Sequence, residues 1–253
     1  MINLATKNWE INDIETILFD KDGTFIDLHY FWGKMTELRA KAVIEHFSIK
    51  QDLLTNLCLF LGYDINSKKM LKDGITALYS RPKIIDIFCE NLKECNIKTS
   101  HSEIEKIFDK VNNIFYADMQ KYTKPIDSAI DFIKKVHSLG IKCGIVTSDS
   151  KESTMMTLNH FGWTDLFSAV IGRESTPEHK ESGIPAKIIL EQLKANPQTT
   201  VMIGDAPMDY LAAKNAGINQ TILVATGQIE SKFLIKTSPY VVENLTDIKI
   251  ENK

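Results

Sequence analysis

The apolar positions along the chain have two textures. From Glu15 to Asp20, and again from Lys124 onward, short unbroken apolar runs alternate with segments of helical period. Between Leu28 and Tyr122 only the helical period recurs, and nothing there reads as a strand. A run such as Ile17-Leu18-Phe19, with no polar alternation, fits a strand covered on both faces, as in a parallel sheet. The same pattern predicts strands at Ile141–Val146, Ala169–Ile171, Thr200–Ile203 and Gln220–Val224, with Tyr240-Val241-Val242 as a last, edge strand. Between them the spacing predicts helices over Ile126–Leu139, Ser150–Phe161, Ile184–Ala195 and Met208–Asn215, with Gly140 and Gly217 as stops. Such alternation implies right-handed β-α-β crossovers. The expected fold is α/β: a three-layer, doubly wound parallel sheet with a Rossmann-like core.

The middle of the chain is expected to be an all-helical domain inserted after the first strand. Its helices run over His29–Phe47, Leu53–Leu61 and Lys69–Tyr79. Ser80-Arg81-Pro82 opens a fourth, as an N-cap with proline in the first turn. Ser100 opens a fifth, with Ile104, Ile107, Phe108, Val111, Ile114 and Phe115 on one face. The predicted domains are therefore a core of residues 1–27 and 124–253 and an insertion of residues 28–123.

Composition narrows the function classes. With 43% hydrophobic and 25% charged residues the chain has the profile of an ordinary soluble protein. A formal charge of −3 gives no electrostatic footprint for nucleic acid. Neither a secretory signal nor a membrane span is expected, because no long apolar stretch occurs. Cys58, Cys89, Cys95 and Cys143 form no C-x-x-C pair and read as free thiols, which suits a cytoplasmic protein.

The first strand runs into Asp20-Lys21-Asp22-Gly23-Thr24. Two carboxylates flanking a single residue at the C-terminal end of a strand lie where open α/β sheets bind ligands. They repel, and a hard cation such as Mg²⁺, which takes oxygen ligands, would hold both. A carboxylate beside a metal can also attack phosphorus. Val201–Asp209 repeats this arrangement: a buried strand, Gly204, Asp205 at the strand end and Asp209 about one helical turn on, aimed at one spot. The alternative for Asp209 is a first-turn residue complementing the helix dipole. Thr147 and Ser148 follow another strand and suit phosphate oxygens beside a helix N-terminus, or merely cap that helix. Lys180, in the loop 172–185, could offset charge on a nucleophilic aspartate and a bound phosphate, or simply be solvated.

Taken together these segments resemble the haloacid dehalogenase-like hydrolase superfamily: D-x-D-G-T after an apolar strand, a later strand ending in Thr or Ser, a loop lysine, then G-D-x-x-x-D, in that order. The likeness covers Glu15–Asp27 and Lys124 to about Leu245, with the insertion where the family carries its first-type cap. Arg173–Pro177 and Ala225-Thr226-Gly227 look closest to the phosphoglycolate phosphatase-like branch.

The resemblance implies roles for individual residues. Asp20 would be the nucleophile that becomes phosphorylated. Asp22 would be the acid and base, with its backbone carbonyl on Mg²⁺. Thr147 and the Ser148 N–H would hold the phosphoryl group, and Lys180 would pair with Asp20 and the phosphate. Asp205 would ligate Mg²⁺, with Asp209 beside it. The presence of Asp22 favours phosphate esters over carbon–halogen bonds, because halide needs no proton donor. Ser148 stands where the family often has Asn. Lys180 is chosen over Lys187, which lies about one turn inside a predicted helix.

The expected activity is Mg²⁺-dependent hydrolysis of a small phosphorylated metabolite, phosphoglycolate-like or a sugar phosphate, by a monomer or homodimer. A phosphomutase of the same fold and a non-catalytic relative are the alternatives. The cap would close over the site and read the rest of the substrate. His29, Tyr30, Trp32 and Arg81 are candidates there, with packing or solvation as the other reading.

Overall fold

The computed structural model describes residues 1–252. In chain order its strands are β1 (Ile2–Ala5), β2 (Glu10–Ile14), β3 (Thr16–Phe19), β4 (Tyr63–Asp64), β5 (Lys69–Met70), β6 (Lys142–Val146), β7 (Ala169–Ile171), β8 (Thr200–Gly204), β9 (Gln220–Val224), β10 (Tyr240–Val242) and β11 (Lys249–Asn252). The chain forms two compact units: residues 1–27 with the chain from Pro125 onward, and Leu28–Lys124.

In the first unit a six-stranded sheet has the order β10-β9-β8-β3-β6-β7, and every pairing is parallel. The chain departs from β3 toward β6 and β7, then crosses to β8, β9 and β10. The order therefore reverses at β3, which is where such sheets bind ligands. Phe19 is in register with Ile145 of β6 and Ile203 of β8, so the three strands end level. All four residues of β3 are buried. Leu18 joins Val146, Ile189, Met202 and Ala213 on one face. Phe19 meets Phe132 and Phe167 edge-on, at ring separations of 6.5 and 6.1 Å. Each fully buried side chain of this size stabilises the fold by about 1.5–3 kcal/mol. The strand's lack of polar alternation is thus explained by cover on both sides.

Three strands of this unit escape the periodicity. β1, β2 and β11 form a separate antiparallel sheet in the order β11-β1-β2. Their apolar residues are few (Ile2, Leu4, Ile11 and Ile14, all buried), and the partner strand comes from the far end of the chain. β10 is an edge of the large sheet, but it is not the last strand.

The second unit is built on the helix Leu28–His46, with the helices Leu54–Phe60, Arg81–Glu94 and His101–Ala117 around a core of Val43, Leu57, Ile85, Phe88, Ile104 and Phe108. Ser100 caps the last of these by accepting from Glu103 N. Ser80 makes no side-chain cap, although Pro82 stands in the first turn as expected. Ile114 is exposed rather than on the buried face.

The all-helical expectation needs one correction. Lys69–Tyr79 is not a helix: β5 pairs with β4 as a hairpin, and only Ile75–Leu78 is helical. Local turn chemistry overrides the period here. The Asp64 carboxylate accepts from Asn66 N at 2.9 Å and Ser67 Oγ at 2.7 Å, and Lys68 takes a left-handed φ of 55°.

Several residues proposed to face substrate are engaged within this unit. His29 Nδ1 accepts from Met70 N at 3.1 Å, Tyr30 donates to Lys121 O at 2.9 Å, and Trp32 packs on Phe31 and the core. Arg81 pairs with Asp109 at 2.5 Å.

Candidate active site

Asp20 follows β3 directly and donates its N–H to Ile203 O of β8 at 2.8 Å, which extends the sheet by one residue. Its carboxylate is buried. Lys180 Nζ lies 2.5 Å from Asp20 Oδ1 and 2.6 Å from Asp209 Oδ1. Asp20, Asp205 and Asp209 each present a carboxylate oxygen within 4.8 Å of the others. Four residues separated by up to 189 positions thus meet at the tips of two neighbouring strands.

Glycines make the packing possible. Gly23 adopts φ 87°, and a Cβ there would come within 2.5 Å of the Asp205 carboxyl carbon. A Cβ at Gly227 would run into the same carboxylate from another side, and one at Gly204 would run into that of Asp209. Thr226 pins this wall by donating to Gly23 O at 2.5 Å. Asp209 also accepts from Ala206 N at 3.0 Å, so the capping role and the convergent role are filled by one side chain.

Three carboxylates face one ammonium here, which leaves a net charge of −2 in a buried site. Burial and the neighbouring Asp209 charge push Asp20 up to about 7, against the pull of Lys180. Burial, with the charges of Asp20 and Asp209, raises Asp205 well above the usual carboxylate range. Burial opposes the charge of Lys180, but Asp20 and Asp209 outweigh it and hold the ammonium protonated. A hard divalent cation would balance this set in both charge and ligand type, so the residues fit Mg²⁺.

The remaining predicted residues sit beside this group. Thr147, buried at the tip of β6, accepts from Asp149 N at 3.1 Å, which leaves its own O–H to donate. Ser148 is exposed, with its hydroxyl 3.7 Å from Met208 Sδ. Asp22 is held by Lys21 Nζ at 2.7 Å, and Lys21 reaches Asp149 at 3.0 Å. Lys187 is exposed on the helix Ile184–Leu193 and takes no part.

Sequence reasoning gave Lys21 and Asp149 no role, and it noted Thr226 and Gly227 only for a likeness, not for their place against Gly23 and Asp205. The one available signal was a lysine set between two acids at the end of a strand buried on both faces. Such a position demands a counter-charge.

Residues 67–224 match the family model for haloacid dehalogenase-like hydrolases. That match begins after Asp20 and Asp22, so the first motif stands on the sequence and geometry described above. Pyrophosphatase PpaX of Oceanobacillus iheyensis is 24% identical over 238 residues, 93% of this chain and 95% of that protein. A phosphoglycolate phosphatase of Neisseria meningitidis is 25% identical over 251 residues, 94% of this chain and 96% of that one. Among solved structures, a subfamily IA hydrolase of the same superfamily from Geobacter sulfurreducens superposes with a TM-score of 0.60 at 16% identity, covering 95% of this chain and 96% of its own. The likeness to that structure concerns the fold.

Proposed function

Because the chain belongs to the haloacid dehalogenase-like hydrolase family, we propose that it is a Mg²⁺-dependent phosphatase that hydrolyses a small phosphomonoester through an aspartyl-phosphate on Asp20. The observation that carries this reading is the Asp20 carboxylate gripped by Lys180 at 2.5 Å, within 4.8 Å of Asp205 and Asp209.

Each step has a residue of this chain to carry it. Asp20 attacks phosphorus, a P–O bond to the carboxylate forms, and the ester P–O bond breaks. Asp22 gives its proton to the departing oxygen. Lys180, with the Thr147 hydroxyl and Ser148 N–H, bears the charge on the phosphoryl oxygens. Water then attacks the acyl phosphate while Asp22 takes back a proton, and phosphate and the Asp20 carboxylate are released. Mg²⁺, held by Asp20, Asp205, Asp209 and the Asp22 carbonyl, would supply charge neutralisation for an anionic nucleophile meeting an anionic ester.

Phosphoglycolate and sugar phosphates are the substrates to try first, given the likeness at Arg173–Pro177 and Ala225–Gly227. The test is a panel of phosphate monoesters with Mg²⁺ and with EDTA, run beside Asp20→Asn. Metal-dependent phosphate release that the substitution abolishes is expected. Conversion of a hexose 1-phosphate to its isomer without free phosphate would instead mark a phosphomutase, and no turnover at all would mark a non-catalytic relative.

A further inference from the structure

Building on the phosphatase reading, we propose that Lys21, anchored by Asp149, is the positioning residue for Asp22. The side chain of Lys21 is wholly buried, yet it lies between the two acids of the first motif and ends in a charge. Its ammonium contacts Asp22 Oδ1 at 2.7 Å and Asp149 Oδ2 at 3.0 Å. One carboxylate is enough to neutralise an ammonium, so the second needs another explanation.

Asp149 is the more firmly fixed of the two acids. Its Oδ1 accepts from Ser150 N at 2.7 Å, its N–H donates to Thr147 Oγ1 at 3.1 Å, and its carbonyl accepts from Arg173 N at 2.9 Å. The main chain of Lys21 is fixed as well, because its carbonyl accepts from Thr24 N, Phe25 N and Ile26 N at 3.3, 3.1 and 3.1 Å. A lysine immobilised at both ends presents one N–H to Asp22 in a set place. That contact sets the direction of one oxygen of the Asp22 carboxyl group.

The anchor is also the neighbour of Thr147. The strand tip that would hold the phosphoryl group therefore sets, through Asp149 and Lys21, the direction of the group that protonates the leaving oxygen. Such pre-placement is what general acid catalysis requires, and the whole of that catalysis is typically worth about 10²–10⁴-fold.

Leaving-group dependence separates positioning from mere support. p-Nitrophenolate departs without help, whereas the alkoxide of glycerol 2-phosphate needs the proton. We compare kcat/KM for both esters in the wild type, in the double variant Lys21→Met/Asp149→Asn, which removes both charges together, and in Lys21→Arg, which keeps the charge but displaces the donor. Melting temperature is recorded for each. The expected result is a loss of at least about tenfold on the alkyl ester and under about threefold on the aryl ester, in any variant that stays folded. An unchanged ratio of the two esters, whether both activities fall together or neither does, overturns the proposal while leaving the phosphatase reading intact. A wild type that cleaves neither ester overturns that reading and this one with it.

Discussion

Lys180 Nζ stands between Asp20 and Asp209, 2.5 Å from one carboxylate and 2.6 Å from the other. The lysine comes from a loop after β7, and its partners from the end of β3 and from the first turn of the helix Pro207–Asn215 that follows β8. It pairs with two of three clustered buried acids, so its removal should be felt in both stability and chemistry.

Breaking a buried ion pair by deleting one partner typically costs about 3–5 kcal/mol. At roughly 2–4 °C per kcal/mol for a chain of this size, Lys180→Met should lower the metal-free melting temperature by roughly 10 °C and abolish turnover. Lys187→Met, on an exposed helix face, should move neither. Calorimetry on the two variants checks this. Equal behaviour of the pair would contradict the assignment of the motif lysine.

Asp20 has an unfolded value near 3.8 and is raised to about 7 in the fold. The folded state therefore binds more protons between those values, and stability falls as pH rises through that window. Asp205 shifts in the same direction. The metal-free protein should lose melting temperature between about pH 4 and 7, in opposition to the usual carboxylate trend. Mg²⁺ should restore it, and more at pH 8 than at pH 5. At a hundredfold excess over Kd the gain is about 2.7 kcal/mol, or roughly 5–10 °C. A scan of melting temperature against pH, with and without Mg²⁺, gives the sign directly.

A methyl group at Gly227 would run into the Asp205 carboxylate. Gly227→Ala should keep the fold, since Asp205 is the group that yields, but it should move a candidate ligand. Mg²⁺ should then be needed at about 10–100-fold higher concentration, the usual penalty when support around a ligand is disturbed. Titration of the melting temperature with Mg²⁺ reads this without reliance on turnover.

Burial pushes the Cys58 and Cys143 thiols up to about 12 and raises that of Cys89, while Cys95 is half-buried. Iodoacetamide at pH 8 should therefore label Cys95 first in the native protein. Peptide mass spectrometry that finds Cys58 or Cys143 modified ahead of it would argue against this packing.

Among the described residues no helix is long and apolar enough to cross a membrane. The large sheet, its parallel sense and the identity of the acids at its strand tips could all be read from the chain. Those properties are local: an apolar run buried on both faces needs only its own residues to declare itself, and a carboxylate after it is visible by position. What the chain could not declare depends on distant partners or on a single turn. β1 and β2 make sense only once β11 returns to pair with β1. The β4–β5 hairpin rests on the side chain of Asp64 and one left-handed residue, too small a signal to outweigh a helical period. The glycine wall around Asp205 and the Lys21–Asp149 tie to Asp22 were decided by tertiary structure alone. In each, the deciding quantity is which charge or carbon lies within a few ångströms across the sheet, and spacing along one strand carries no record of that.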